Sequence, residues 1–360
     1  MRRKKLVAAG LALLLAFVLA GCAAQQGGLT REGYRLLGGL SGQAVGNTPG
    51  NLANGGLAAP IDDNSYYIWN RNYAGPDVSS ILQVHGVNSV EWYFAGAVAD
   101  NISDGGDGWV YFLLGDGSAC RAEVGGYGFE SLINDLSCHQ LALVGDTLFV
   151  SGQDRDSGVI LATDKNGGNR RIIFRTDGHY TPGMLLVGEA LLYAVWNEDT
   201  EEAELRRVAF GGTSHEVVLR GSFSSFQSEG GTVYYSAEIR EDGLFSLYEL
   251  ADGAKEPVPV AENVQSYYAG DGGLYYLVRK PVETADLTLY YRENGGQAQK
   301  LADWQRDDLT GLDGGVELFM ADGRLLCVTR QGYLLFYYEI ASGNMMEGVA
   351  RSSLTRSFFK

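Results

Sequence analysis

Leu143-Val144-Gly145-Asp146-Thr147-Leu148-Phe149-Val150 and Leu186-Val187-Gly188-Glu189-Ala190-Leu191-Leu192-Tyr193 are two copies of one pattern. An apolar pair runs into a two-residue turn of glycine and an acid, and an apolar triplet follows. Ser228-Glu229-Gly230-Gly231-Thr232-Val233-Tyr234-Tyr235, Ala269-Gly270-Asp271-Gly272-Gly273-Leu274-Tyr275-Tyr276 and Met320-Ala321-Asp322-Gly323-Arg324-Leu325-Leu326-Cys327 repeat it. Weaker copies end in Tyr66-Tyr67-Ile68 and Val110-Tyr111-Phe112, so triplets begin at residues 66, 110, 148, 191, 233, 274 and 325. Self-similarity at a fixed period is the signature of a repeat architecture.

A second apolar run and a second glycine turn follow the triplets. Leu247-Tyr248-Glu249-Leu250 precedes Asp252-Gly253, and Leu289-Tyr290-Tyr291 precedes Asn294-Gly295-Gly296. Asn-Gly and Asp-Gly between β-rich runs signal hairpins, because these residues accept the positive φ of tight turns. Each unit of about 42 residues therefore holds about four short strands, and no long segment has helical periodicity. A lone four-stranded blade exposes both faces; packed around an axis, each blade covers its neighbour. Residues 57–360 divided by that period predict an all-β chain: a β-propeller of about seven four-stranded blades, with six or eight as the alternatives, each triplet being a buried inner strand.

Composition agrees. The chain has 360 residues, 50 of them glycine but only 7 proline, and 21 tyrosines against 14 phenylalanines. Short aromatic strands joined by glycine turns give that mixture. A formal charge of -16 excludes a nucleic-acid partner, whose phosphates need clustered Lys and Arg.

The first 21 residues read as an export signal. Arg2, Arg3, Lys4 and Lys5 form a basic head, and the apolar run Leu6 to Ala20 is too short to span a bilayer. Leu19-Ala20-Gly21-Cys22 resembles the bacterial lipobox, which implies cleavage before Cys22 and a diacylglycerol on its thiol. Losing the basic head leaves an acidic body, which gains nothing from an anionic membrane surface. A two-chain lipid anchor suffices without a basic patch. The expected location is the extracytoplasmic face of the cell membrane. Residues 22–56, rich in glycine, read as a lipidated flexible tether whose far end docks on the domain of residues 57–360.

Gly46-Asn47-Thr48-Pro49-Gly50-Asn51-Leu52-Ala53-Asn54-Gly55-Gly56, followed by Tyr66-Tyr67-Ile68 and the repeats, resembles a group of bacterial lipoproteins. They carry a domain of unknown function classed as a propeller like that of the low-density-lipoprotein receptor. The resemblance covers nearly the whole mature chain and implies a fold more than an activity. The receptor's Tyr-Trp-Thr-Asp signature is missing, so receptor-type ligands do not carry over.

Catalytic motifs are scarce. The stretch nearest a sialidase box, Ser151 to Gly158, has neither its spacing nor its tryptophan. Trp69, Trp92, Trp109, Trp196 and Trp304 share no blade position and read as packing residues. Gly-x-Ser-x-Gly and His-Glu-x-x-His are absent, and His85, His139, His179 and His215 fall irregularly. The acidic runs Asp100–Asp107 and Glu198–Glu202 lack calcium-loop spacing and read as solvated loops. No catalytic residue, metal or cofactor is assigned. Cys120 and Cys138 form a candidate disulfide, with two buried thiols as the alternative, and Cys327 reads as a core thiol.

Three functions are compatible with this chain. It is read first as a membrane-anchored binding or scaffold module whose loop face meets a protein, peptide or glycan. The others are a glycan-acting hydrolase with channel carboxylates and an extracytoplasmic sensor subunit. A cluster of perturbed carboxylates in the channel would favour the hydrolase.

Overall fold

The computed structural model describes residues 40, 42–62, 65–70, 79–85, 89–96, 99–126, 128–176, 183–197, 199–210, 214–279, 286–304, 315–330 and 334–347. Five separate sheets have four strands each, and a sixth has seven. Every pairing between neighbouring strands is antiparallel and follows chain order, so each sheet is a meander. The seven-stranded sheet contains two blades. Its central strand, Val258–Gly270, pairs through residues 258–264 with Phe245–Leu250 and through residues 264–270 with Gly273–Arg279. One continuous strand is thus the outer strand of blade 5 and the innermost strand of blade 6. The described strands thus make seven blades.

The innermost strands are Ala58–Asp62, Ala99–Asp104, Ser137–Val144, Gly183–Val187, Ser225–Glu229, the second half of Val258–Gly270, and Val316–Ala321. Each touches the next, and the last touches the first. Among the described residues the ring closes without strand exchange, since blade 7 consists of consecutive strands from Val316–Ala321 to Asn344–Glu347. Apolar packing lines the joint, where Phe319, Leu326 and Val328 of blade 7 meet Tyr66, Ile68 and Leu82 of blade 1.

The repeated triplets are buried, as their apolarity requires, but they are not innermost. Leu148-Phe149-Val150, Leu191-Leu192-Tyr193 and their equivalents lie on the second strand of each blade. The correction has a physical reason. Innermost and second strands are both covered on their two faces by neighbouring blades, so Leu141–Val144 and Leu318–Ala321 are buried at consecutive positions as well and apolarity does not tell the two strands apart. The turn before the triplet joins these two strands. Asp271-Gly272 and Asp322-Gly323 each have two successive positive φ angles, the demand of a type I′ turn.

The central channel is filled. The end of the stretch read as a tether enters it: Val45 bridges Val144, and helix α1 (Pro49–Ala53) packs against the innermost strands of blades 3 to 7. Thr48 caps α1 by accepting from Asn51 N. Three asparagines of this plug satisfy open strand edges. Asn47 Nδ2 donates to Ala58 O and Ile102 O, and Asn54 Nδ2 donates to Tyr267 O and Leu318 O. Asn51, fully buried, bonds both backbone polar groups of Met320. Gly50 is required by close approach, since a Cβ there would lie 2.6 Å from the Tyr268 ring. The folded body therefore begins well before residue 57.

Candidate functional site

Side chains of the innermost strands bridge blade to blade around the channel. Asn101 accepts from Leu141 N, Gln140 from Met184 N, Gln227 from Ala269 N and Ser266 from Leu318 N. Each closes an otherwise open backbone group of the next blade. Against this rigid ring, blades 5, 6 and 7 leave a cavity of about 670 Å³ at one mouth, with Asn54 of the plug at its inner end. That volume is in the range of small-molecule sites.

One bulge and several strand residues place polar groups along it. Val264 and Ser266 keep their partners on the neighbouring strand while Gln265 is skipped, so a β-bulge sits where the shared strand passes between blades. Gln265 is only 9% exposed, lines the cavity, and its amide has no hydrogen-bond partner among the described residues. Glu317, second residue of its strand, accepts from Ser266 Oγ at 3.1 Å and from Arg330 Nη2 at 3.0 Å. Burial pushes its carboxyl above the usual range, and Arg330 opposes the rise. Ser225 Oγ lies 2.7 Å from Ser236 Oγ and 3.1 Å from Tyr267 OH. Arg279, at the end of Gly273–Arg279, lines the same cavity with no ion-pair partner among the described residues. Phe245 and Ile239 supply apolar wall.

A second cavity, of about 630 Å³, lies on the opposite face against Pro49, between blades 4 and 5. Val217, Val218 and Leu250 give it a more apolar wall, and Glu189, Glu216 and Glu229 an acidic rim.

The residues singled out in sequence do not converge on either cavity. His85 is bonded to Ser65 in blade 1, His215 to Tyr193 in blade 4, and His139 is exposed on blade 3; His179 lies outside the described residues. Asp107 pairs with Lys165, and among the described residues no acidic cluster could hold a metal ion. Asp100, pushed up to about 6 by burial, is on the innermost strand of blade 2 and does not line the mouth cavity. Trp69 and Trp304 are core residues, but Trp196 is 47% exposed; the Trp92 side chain lies outside the described residues.

Cys120 and Cys138 are not bridged: both are buried free thiols, as is Cys327. Cys120 is on the third strand of blade 2, and Cys138 on the innermost strand of blade 3, where its Sγ donates to Leu136 O at 3.5 Å. The signal, Cys22 and most of the tether lie outside the described residues.

No protein-family profile matches the chain, and no curated protein matches it in sequence. Solved structures match it in fold. The β-propeller domain of the Trilobed protease from Pyrococcus furiosus, described as having an open velcro topology, aligns at TM-score 0.51 and 12% identity, over 83% of this chain and 96% of that one. A puromycin hydrolase aligns at 0.57 and 11%, over 89% of this chain and 56% of that one. A structure from an analysis of two prolyl endopeptidases aligns at 0.57 and 10%, over 89% and 53%. The chain thus spans about half the length of these two larger proteins. Likeness at this identity carries the β-propeller fold and nothing of their activities.

Proposed function

We propose that this chain is a lipid-anchored, extracytoplasmic binding module that takes its ligand at the mouth formed by blades 5, 6 and 7. The observation that carries the binding part is the Gln265 amide at the bulge, which has no partner among the described residues and lines a polar cavity of the ring. Glu317 supports binding over hydrolysis, because its carboxylate is committed to Arg330 and Ser266. The hydrolase alternative needs a second carboxylate at a controlled separation across the substrate. The raised Asp100 belongs to blade 2 and is not part of this lining. Anchoring rests on the lipobox at Leu19–Cys22. Fractionation of a Cys22→Ala chain tests the anchor: release from the membrane, or failure of processing, is expected, and normal anchoring rejects it. Peptidoglycan, polysaccharide and glycoside panels test the module. Hydrolysis abolished by one carboxylate substitution that leaves the fold intact would replace it with an enzyme.

A further inference from the structure

The mouth cavity has a charge balance and a set of open hydrogen-bonding valences that together specify a class of ligand, given that the chain is a binding module. Its acidic groups are mostly answered. Glu317 is held by Arg330, and Asp242 is paired with Arg240 at 2.7 Å. The remaining pair of opposite charges in the lining is Glu241 and Arg279. Among the described residues, the lining charges together with Arg240 therefore balance, although the whole chain carries -16. A net-charged ligand would meet no net counter-charge there.

Open valences are plentiful. Neither end of the Gln265 amide is bonded to a described residue; its oxygen is occluded by neighbouring atoms, so the NH2 is the end left to the cavity. Arg330 spends Nε and Nη2 on Glu317, which leaves Nη1 without a partner among the described residues. No described residue bonds the Arg279 guanidinium, a planar fork suited to two adjacent oxygens. Serine hydroxyls and the Glu241 carboxylate add acceptors. Beside them Phe245, held edge-on to Tyr267 at 5.9 Å between ring centres, offers a fixed apolar face. A ligand that complements this wall must donate and accept at many closely spaced positions, carry no net charge, and have one apolar face. A pyranose ring has all three properties: hydroxyls around its rim and C–H groups on its flat side.

We propose that the mouth cavity binds a neutral saccharide, with the Gln265 amide, Arg279 and Arg330 Nη1 donating to its hydroxyl oxygens and Phe245 packing under the ring. The Gln265 NH2 has no partner among the described residues and opens on the cavity, so a ligand hydroxyl can take its donated hydrogen bond in place of water.

The test uses the purified full chain in detergent, with chitotriose, cellotriose and maltotriose as neutral saccharide probes, trigalacturonate as an anionic one and trialanine as a zwitterionic peptide. Saturation-transfer NMR and calorimetry should detect at least one neutral trisaccharide at about 1 mM or tighter. Gln265→Leu and Arg279→Met should each weaken it about tenfold with the circular-dichroism melt unchanged. If Gln265→Leu does not fold, Arg279→Met, at the outer end of its strand, carries the comparison. Failure of every neutral probe to bind, or binding untouched by both variants, overturns the proposal. Binding of trialanine or trigalacturonate instead, lost in the same variants, also overturns the saccharide while leaving a binding module in place. Cleavage of a bound trisaccharide would keep the ligand class and overturn the non-catalytic reading.

Discussion

The side chain of Asn51 bonds both backbone polar groups of Met320: Nδ2 donates to Met320 O at 2.9 Å, and Oδ1 accepts from Met320 N at 2.8 Å. One amide thus takes the place of the missing strand neighbour at an edge buried in the channel. Nδ2 also donates to Asn47 Oδ1, which ties the plug to itself before tying it to the ring.

Removing that amide should be costly. Asn51→Ala leaves two backbone groups of Met320 buried without partners, and an unsatisfied buried group costs about 1–3 kcal/mol. The expected loss is about 2–4 kcal/mol in urea unfolding. A loss below about 0.5 kcal/mol, the range of ordinary surface substitutions, would mean that the plug is not seated as described.

Gly50→Ala should damage the same region by a different mechanism. Its Cβ would lie 2.7 Å from Ala269 O as well as against Tyr268, and backbone on one side cannot yield cheaply. Overpacking of this kind costs about 1–3 kcal/mol. Gly42→Ala, where no atom lies within 4 Å, gives a comparison at which only the positive φ is strained.

Ring closure should depend on Phe319. With no exchanged strand among the described residues to hold blade 7 to blade 1, Phe319→Ala removes an aromatic wholly buried in the joint, at about 3–5 kcal/mol. Hydrogen exchange should rise first in Ala58–Asp62 and Val316–Ala321. Equal acceleration in blade 4 would show that the joint is not the weak point.

Glu204 should give stability a steep acid limb. Burial pushes its carboxyl up, but donors from Arg206, Arg220 and Asn197 outweigh burial and hold it at about 2, against 4.5 ordinarily. The folded state binds its proton less readily than the unfolded state, so the contribution is complete above pH 4.5 and lost as pH falls toward 2. The stability gap between wild type and Glu204→Gln should be largest near neutrality and shrink through that window. A gap independent of pH would reject the pairing.

The thiols should be silent in the native protein. Burial pushes Cys120 up to about 11 and Cys138 up to about 12, and raises Cys327 well above the usual thiol range, so little thiolate is present at pH 8. In a Cys22→Ala chain, a thiol reagent should label none natively and three in guanidinium. Labelling of one would mean that Cys120 and Cys138 are joined.

By itself the sequence determined the local geometry of this protein and its repetition. Asp-Gly and Gly-Gly turns need positive φ wherever they stand, and Leu191-Leu192-Tyr193 must be buried whatever covers it, so strand, hairpin and blade were legible from short windows. Only the tertiary structure decided which strand of each blade faces the axis, that the glycine-rich stretch through Gly46–Gly56 fills the channel, and that Gln265, Arg279, Glu317 and Arg330 share one cavity. Asn51 read as part of a tether because its partner lies 269 residues away and offers only backbone, which leaves no side-chain pattern to detect. The mouth residues come from different blades and different positions in the repeat. Their meeting is fixed by ring closure and by one bulge, and neither has a local signature in the chain.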